Sequence, residues 1–278
     1  MAYKSVLTVW DDREESRAAM DLAIDMVKAN DGHLNVLCLG IDRIQPGLYY
    51  AGATPAIMTE NIEVARDEAK KNEKSAKAIL NGYDINWSSQ AMVAQINGLS
   101  YVVGGAARYN DLVVLPQPYG GGAGEEAASV LEAAMFEGHA PVLVCPAKIK
   151  TPPGKRVVIA WNGSAEAMAA IKAALPYIRA AEAVDIAIID PSRHDESQAD
   201  PGYELSTMLA RHGANVTVSV LARTVPRVAE VIERHAIDFG ADMIVMGAYG
   251  HSRFRESILG GATRDMLEDV TVPVLMAH

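Results

Sequence analysis

The chain has 278 residues, enough for about two domains of ordinary size. Its 25 lysines and arginines against 35 aspartates and glutamates leave a formal net charge of −10, which argues against a general nucleic-acid or anionic-membrane binder because such a surface repels phosphate. Half of the residues are hydrophobic and 22% are charged, which excludes a mostly disordered chain.

Taken in order, the chain enters a strand pattern at once: Ser5–Trp10 is an apolar run closed by Asp11 and Asp12. No basic segment, apolar stretch and cleavage site precede it, so no secretory leader is expected. An Ala-rich helical stretch follows over 16–23, and a long loop over 43–55. Next comes a helix of about 58–81, with Ile62, Ala65, Ala69, Ala76, Ile79 and Leu80 at helical spacing. Asp111–Leu115 reads as a strand, followed by a Pro- and Gly-rich stretch from Pro116 to Glu126. A Pro-led strand, Pro141–Cys145, closes this half. Pro116 and Pro118 cannot donate N–H groups, and Glu125 and Glu126 would repel phosphate. This half therefore reads as a poor phosphate site.

A polar Pro/Gly joint then leads into a second series, and the two match. Ser5–Asp12 aligns with Arg156–Gly163 at an offset of 151, and both apolar runs end in Trp followed by a short polar residue. Asp111–Leu115 aligns with Asp242–Met246, and Pro141–Cys145 with Pro273–Met276. The second series reads strand 156–161, helix 165–180, strand 184–189, an acidic loop and a helix near 202–212. Strand 215–221, helix 226–238, strand 242–246, a Gly-rich loop, a helix near 260–269 and strand 273–277 complete it. Continuously apolar strands alternating with amphipathic helices imply parallel sheets covered on both faces. The expected architecture is two tandem doubly wound α/β domains of Rossmann-like type, each with a mainly parallel five-stranded sheet. Their limits are 1–147 and 155–278, joined by a linker over 148–154.

The segment that carries chemistry is Gly247-Ala248-Tyr249-Gly250-His251-Ser252-Arg253, continued by Phe254–Leu259 and Gly260-Gly261-Ala262-Thr263. Its spacing is Gly-x2-Gly-x9-Gly, after a strand and before a helix. Glycines let successive backbone N–H groups turn inward onto an anion, and the helix start offers further unpaired donors. Thr263, Ser252 and Arg253 could add side-chain contacts to phosphates. Trp10 and Trp161 could stack on a base or simply plug the sheet end. Cys38 and Cys145 read as buried core thiols that suit a reducing cytoplasm. The acidic stretch Asp190–Glu196 lacks metal-ligand spacing, and the longest apolar runs fall far short of a membrane span. No nucleophile–base pair, acidic dyad or metal cluster is recognisable, so no robust turnover is expected.

On its matched halves, first-strand polar residue and glycine spacing, the chain resembles the universal stress protein family in its tandem two-domain form. The resemblance implies an adenine nucleotide, ATP or AMP with Mg²⁺, in the C-terminal half, and a stress-response regulatory or protective role. It implies that Ala160, Trp161 and Asn162 hold the adenosine portion and that the backbone near Ile189 meets the adenine. Met246, Gly247, Gly250, His251, Ser252 and Arg253, with Gly260, Gly261, Ala262 and Thr263, would take ribose and phosphates. The family usually carries Asp where Asn162 stands and Ser or Thr where Gly261 stands, which predicts weaker binding. The resemblance further implies a pseudo-dimer of the two halves through strands 141–145 and 273–277, with homodimers as a further level. A nucleotide-free interaction protein, or a weak ATPase, is the alternative.

Overall fold

The computed structural model describes residues 3–43, 55–120, 122–149, 152–191, 201–248, 261–269 and 271–278. It divides into two compact units, Ala2–Val142 and Leu143–His278. The first holds β1 (Ser5–Trp10), α1 (Glu14–Asn30), β2 (His33–Asp42), α2 (Pro55–Leu80) and β3 (Asn86–Gln95). After them come α3 (Leu99–Ala107), β4 (Leu112–Pro116), α4 (Ala127–Glu132) and a wider π-helical turn over Ala133–Glu137. The strand β5 (Val142–Cys145) straddles the division. The second unit holds β6 (Arg156–Ala160), α5 (Ala165–Ala180), β7 (Ala183–Ile189), α6 (Tyr203–Arg211) and β8 (Val216–Leu221). It ends with α7 (Val228–Phe239), β9 (Met243–Gly247), α8 (Gly261–Glu268) and β10 (Val274–Ala277).

Strand order is β3-β2-β1-β4 in the first unit and β10-β9-β6-β7-β8 in the second, where β5 lies beside β10. The pairs β1–β2, β1–β4, β2–β3, β6–β7, β6–β9, β7–β8 and β9–β10 are all parallel. Each unit is thus a doubly wound α/β sheet, and in each the chain reverses its winding beside the first strand: between β1 and β4, and between β6 and β9. Open α/β sheets bind ligands in the crevice outside that reversal, at the carboxyl ends of the strands.

The central strands are apolar throughout because both of their faces are covered. Val6, Leu7, Val113, Val114, Val157, Val158, Ile159, Ile244 and Val245 are essentially inaccessible to solvent. Both cysteines are buried, as the sequence implies, and burial pushes the Cys38 thiol up to about 12. The matched aspartates do matched work. Asp111 Oδ2 accepts from the backbone N–H of Lys4 and Ser5 at 2.7 and 2.9 Å, fixing the start of β1. Asp242 accepts from Gly154, Lys155 and Arg156 at 2.8–3.2 Å, fixing the start of β6. The Pro-led strands also match, with Val113 N donating to Pro141 O and Ile244 N to Pro273 O, both at 3.0 Å.

Two helices of the first unit exceed their expected extent: α1 runs Glu14–Asn30 beyond the stretch 16–23, and α2 starts at Pro55, three residues before the expected 58. Proline is well suited to a first helical position, where its missing N–H costs nothing.

Candidate functional site

In the second unit the site is assembled by register. Ala160 on β6 pairs with Ala187 on β7 and with Met246 on β9, so three carboxyl ends lie side by side. Ile189 ends β7 two residues further on, and Gly247 ends β9. Ala160, Trp161, Asn162, Ile189, Met246 and Gly247 therefore gather at the winding reversal. Gly250, His251, Ser252, Arg253 and Gly260 lie outside the described residues.

The turn after β6 explains the residue types found there. Asn162 is exposed, and its Oδ1 accepts from Ser164 N at 3.1 Å, an Asx-type turn. Gly163 takes φ 76°, a left-handed conformation suited to glycine. Ser164 then caps α5, its Oγ accepting from Ala167 N at 3.1 Å. The first unit builds the same corner from different residues: Asp12 is left-handed at φ 61°, and Asp11 Oδ1 accepts from Arg13 N at 3.3 Å. In each corner a short polar side chain accepts from the backbone N–H two residues on.

Gly247 has a reason of its own. A Cβ there would overlap the backbone of Glu166 and Ala167, so glycine lets β9 pass against the first turn of α5. Gly261 meets no such neighbour at the start of α8, where the helix opens to the surface. Ala262 is exposed beside it, whereas Thr263 is buried. Trp161 is partly exposed. Trp10, the matching residue of the first unit, is 3% exposed and donates from Nε1 to Ser75 Oγ at 2.7 Å. Of the two roles open to Trp10, it takes the plug.

The corresponding end of the first unit holds features that the sequence did not single out. Asp11 forms an ion pair with Arg13, and Ser16 Oγ donates to Asp11 Oδ1 at 2.5 Å. Arg13 Nη1 reaches across to Gly122 O at 2.9 Å, tying the Gly-rich segment down. Arg43 pairs with Glu126 at 2.8 Å and with Glu68 at 3.7 Å. Burial alone would lower the Arg43 pKa, but the hydrogen bond to Glu126 and the charges of Glu126, Glu68 and Glu125 outweigh it and raise it. No signal in the sequence joins residues this far apart.

A third cluster centres on Asp185, the charged residue of an otherwise apolar strand. Asp185 on β7 is 2% exposed and accepts from Thr217 at 2.5 Å, Ser219 at 3.1 Å and His235 Nε2 at 2.7 Å. His235 in turn stacks on Phe239, over whose ring the Arg156 guanidinium lies at 4.4 Å. These bonds satisfy a carboxylate that would otherwise be costly to bury. Ser219 bonds to the aspartate and not to the histidine, so this is a support for the α7–β7 packing and not a nucleophile–base arrangement. Among the described residues there is no group of three or more His, Cys, Asp or Glu that could hold a metal ion. Among them, too, no helix is long and apolar enough to cross a membrane.

Comparison with known proteins agrees with this architecture. Residues 154–278 match the model of the universal stress protein family. Universal stress protein Slr1230 from Synechocystis sp. is 28% identical over 136 residues, which cover 49% of this chain and 46% of that protein. The match therefore spans about half the length of that relative. The crystal structure of a universal stress protein from Archaeoglobus fulgidus DSM 4304 superposes with a TM-score of 0.73, at 15% identity. That alignment covers 98% of this chain and 95% of the other. A protein of unknown function from Pseudomonas aeruginosa PAO1 superposes with a TM-score of 0.59, at 14% identity, covering 99% of this chain and 92% of that one. At those identities the two structures speak for the fold. Taken with the doubly wound topology, the family match shows a universal stress protein domain over residues 154–278.

Proposed function

We propose that the second unit binds an adenine nucleotide, ATP or AMP, with Mg²⁺ accompanying the phosphates, and that the protein serves a stress-response role through that binding. The observation that carries the reading is the convergence of Asn162, Ile189 and Met246–Gly247 on one end of three parallel strands, immediately before the Gly-x2-Gly-x9-Gly segment. Asn162 would accept from or donate to the ribose or the adenine edge. Backbone N–H groups of the glycine segment and the start of α8 would receive the phosphates. The reading assigns binding, with at most slow ATP hydrolysis.

The test is calorimetric titration of ATP and of AMP into the wild type and into Gly250→Asp. A carboxylate in the glycine segment repels phosphate, so the variant should lose at least about tenfold in affinity for ATP. Equal heats from the two proteins would overturn the assignment. A wild type that takes neither nucleotide would favour the interaction-protein alternative.

A further inference from the structure

The first unit contains a cavity of about 530 Å³ at the carboxyl ends of β1, β2 and β4. That volume lies in the range of small-molecule sites, about 300–1,000 Å³. Its floor is apolar, formed by Val9, Leu39, Ile41, Leu115 and Val130. Its rim brings four carboxylates, Asp11, Glu68, Glu125 and Glu126, against two guanidinium groups, Arg13 and Arg43.

The distribution of those charges decides what fits. Asp11 and Arg13 satisfy each other, and Arg13 also holds the backbone of Gly122. Of the cavity's two guanidinium groups, Arg43 is the one that faces Glu68, Glu125 and Glu126. With four carboxylates against two guanidinium groups, the rim therefore keeps an excess of two negative charges. It is also partly shielded from water, since the Glu126 side chain is only 16% exposed. An anion entering here meets repulsion, and it finds no backbone donor at Pro116, which ends β4 on the cavity wall. A cation is attracted to the excess charge, most strongly at the shielded Glu126, and an apolar body gains from the floor.

We propose that this cavity is a second binding site of the chain, specific for small organic cations that carry an apolar ring or short chain. The cationic head sits among Glu68, Glu125 and Glu126, and the apolar body lies on Leu39, Ile41 and Leu115. The site is separate in chemistry from the nucleotide reading of the second unit and stands without it.

A matched set of probes, 2-naphthamidine, 2-naphthamide and 2-naphthoate, tests this by calorimetric titration of the full chain. They share one apolar body and differ in head-group charge. The amidine should bind at least about tenfold more tightly than the amide, and the naphthoate most weakly. Glu68→Gln, a change at a half-exposed position, should remove most of the amidine's advantage and leave the amide unchanged. Leu39→Phe should weaken all three by filling the floor, with far-UV circular dichroism confirming that the variant is folded. The proposal is overturned if naphthoate binds as well as the amidine, if Glu68→Gln leaves the ranking intact, or if none of the probes binds. Because ATP is absent throughout, none of these outcomes bears on Gly250→Asp.

Discussion

Gly247 shows how a single residue can meet two demands. The sequence marks it as the first glycine of an anion-binding spacing, but packing requires it too, because β9 meets the first turn of α5 with no room for a side chain. Ala167 and Ala170, both buried along that helix, keep the approach close. Gly247→Ala should therefore cost about 1–3 kcal/mol even without any ligand, the usual scale of overpacking. Urea denaturation of the ligand-free protein measures it, and an unchanged midpoint would mean that α5 can lift away freely. Gly261→Ala makes the contrast, since among the described residues nothing outside its own chain neighbourhood stands within 4 Å of the added carbon, and its midpoint should barely move.

At the scale of elements, the strands and helices of the second unit are legible in the sequence because their determinants are local. An apolar run such as Val157–Ile159 can only be a doubly covered strand, and the spacing of Leu205 and Leu209 buries one face of α6. The matched aspartates, Asp111 and Asp242, were visible as a repeat, but their work of pinning β1 and β6 was not, because their partners lie 106 and 86 residues away. The cavity in the first unit escaped notice for the same reason: Arg43 reaches Glu126 across 83 residues. Nor does any residue type announce that α4 widens into a π-helical turn at Ala133. That widening follows Glu132, the last residue of α4, whose carboxyl burial holds above its ordinary range. A raised acid in the folded state binds its proton more tightly than the unfolded chain does. Its contribution is therefore favourable below the unfolded value of 4.5 and is lost as pH rises through the folded one. Glu132→Gln should stabilise the protein at pH 7 and make little difference near the acid end. Denaturant titrations at the two pH values check this, and an equal effect at both would rule it out.

For the molecule as a whole, the division at Val142 and Leu143 leaves one buried cysteine in each unit, Cys38 in the first and Cys145 in the second. A buried thiol is inert to alkylation until its surroundings open, because the reactive species is the solvated thiolate. Rates of iodoacetamide labelling, read by mass spectrometry of the separate peptides, therefore follow the opening of each unit on its own. Ligand bound to one unit slows opening there by mass action, about 100-fold at a free concentration 100 times Kd. Saturating ATP should slow labelling of Cys145 by that factor and leave Cys38 unchanged, and equal slowing of both would contradict a nucleotide confined to the second unit. The two sulfur atoms thus amount to a pair of built-in clocks, already installed by nature, that time the breathing of each half without any foreign label.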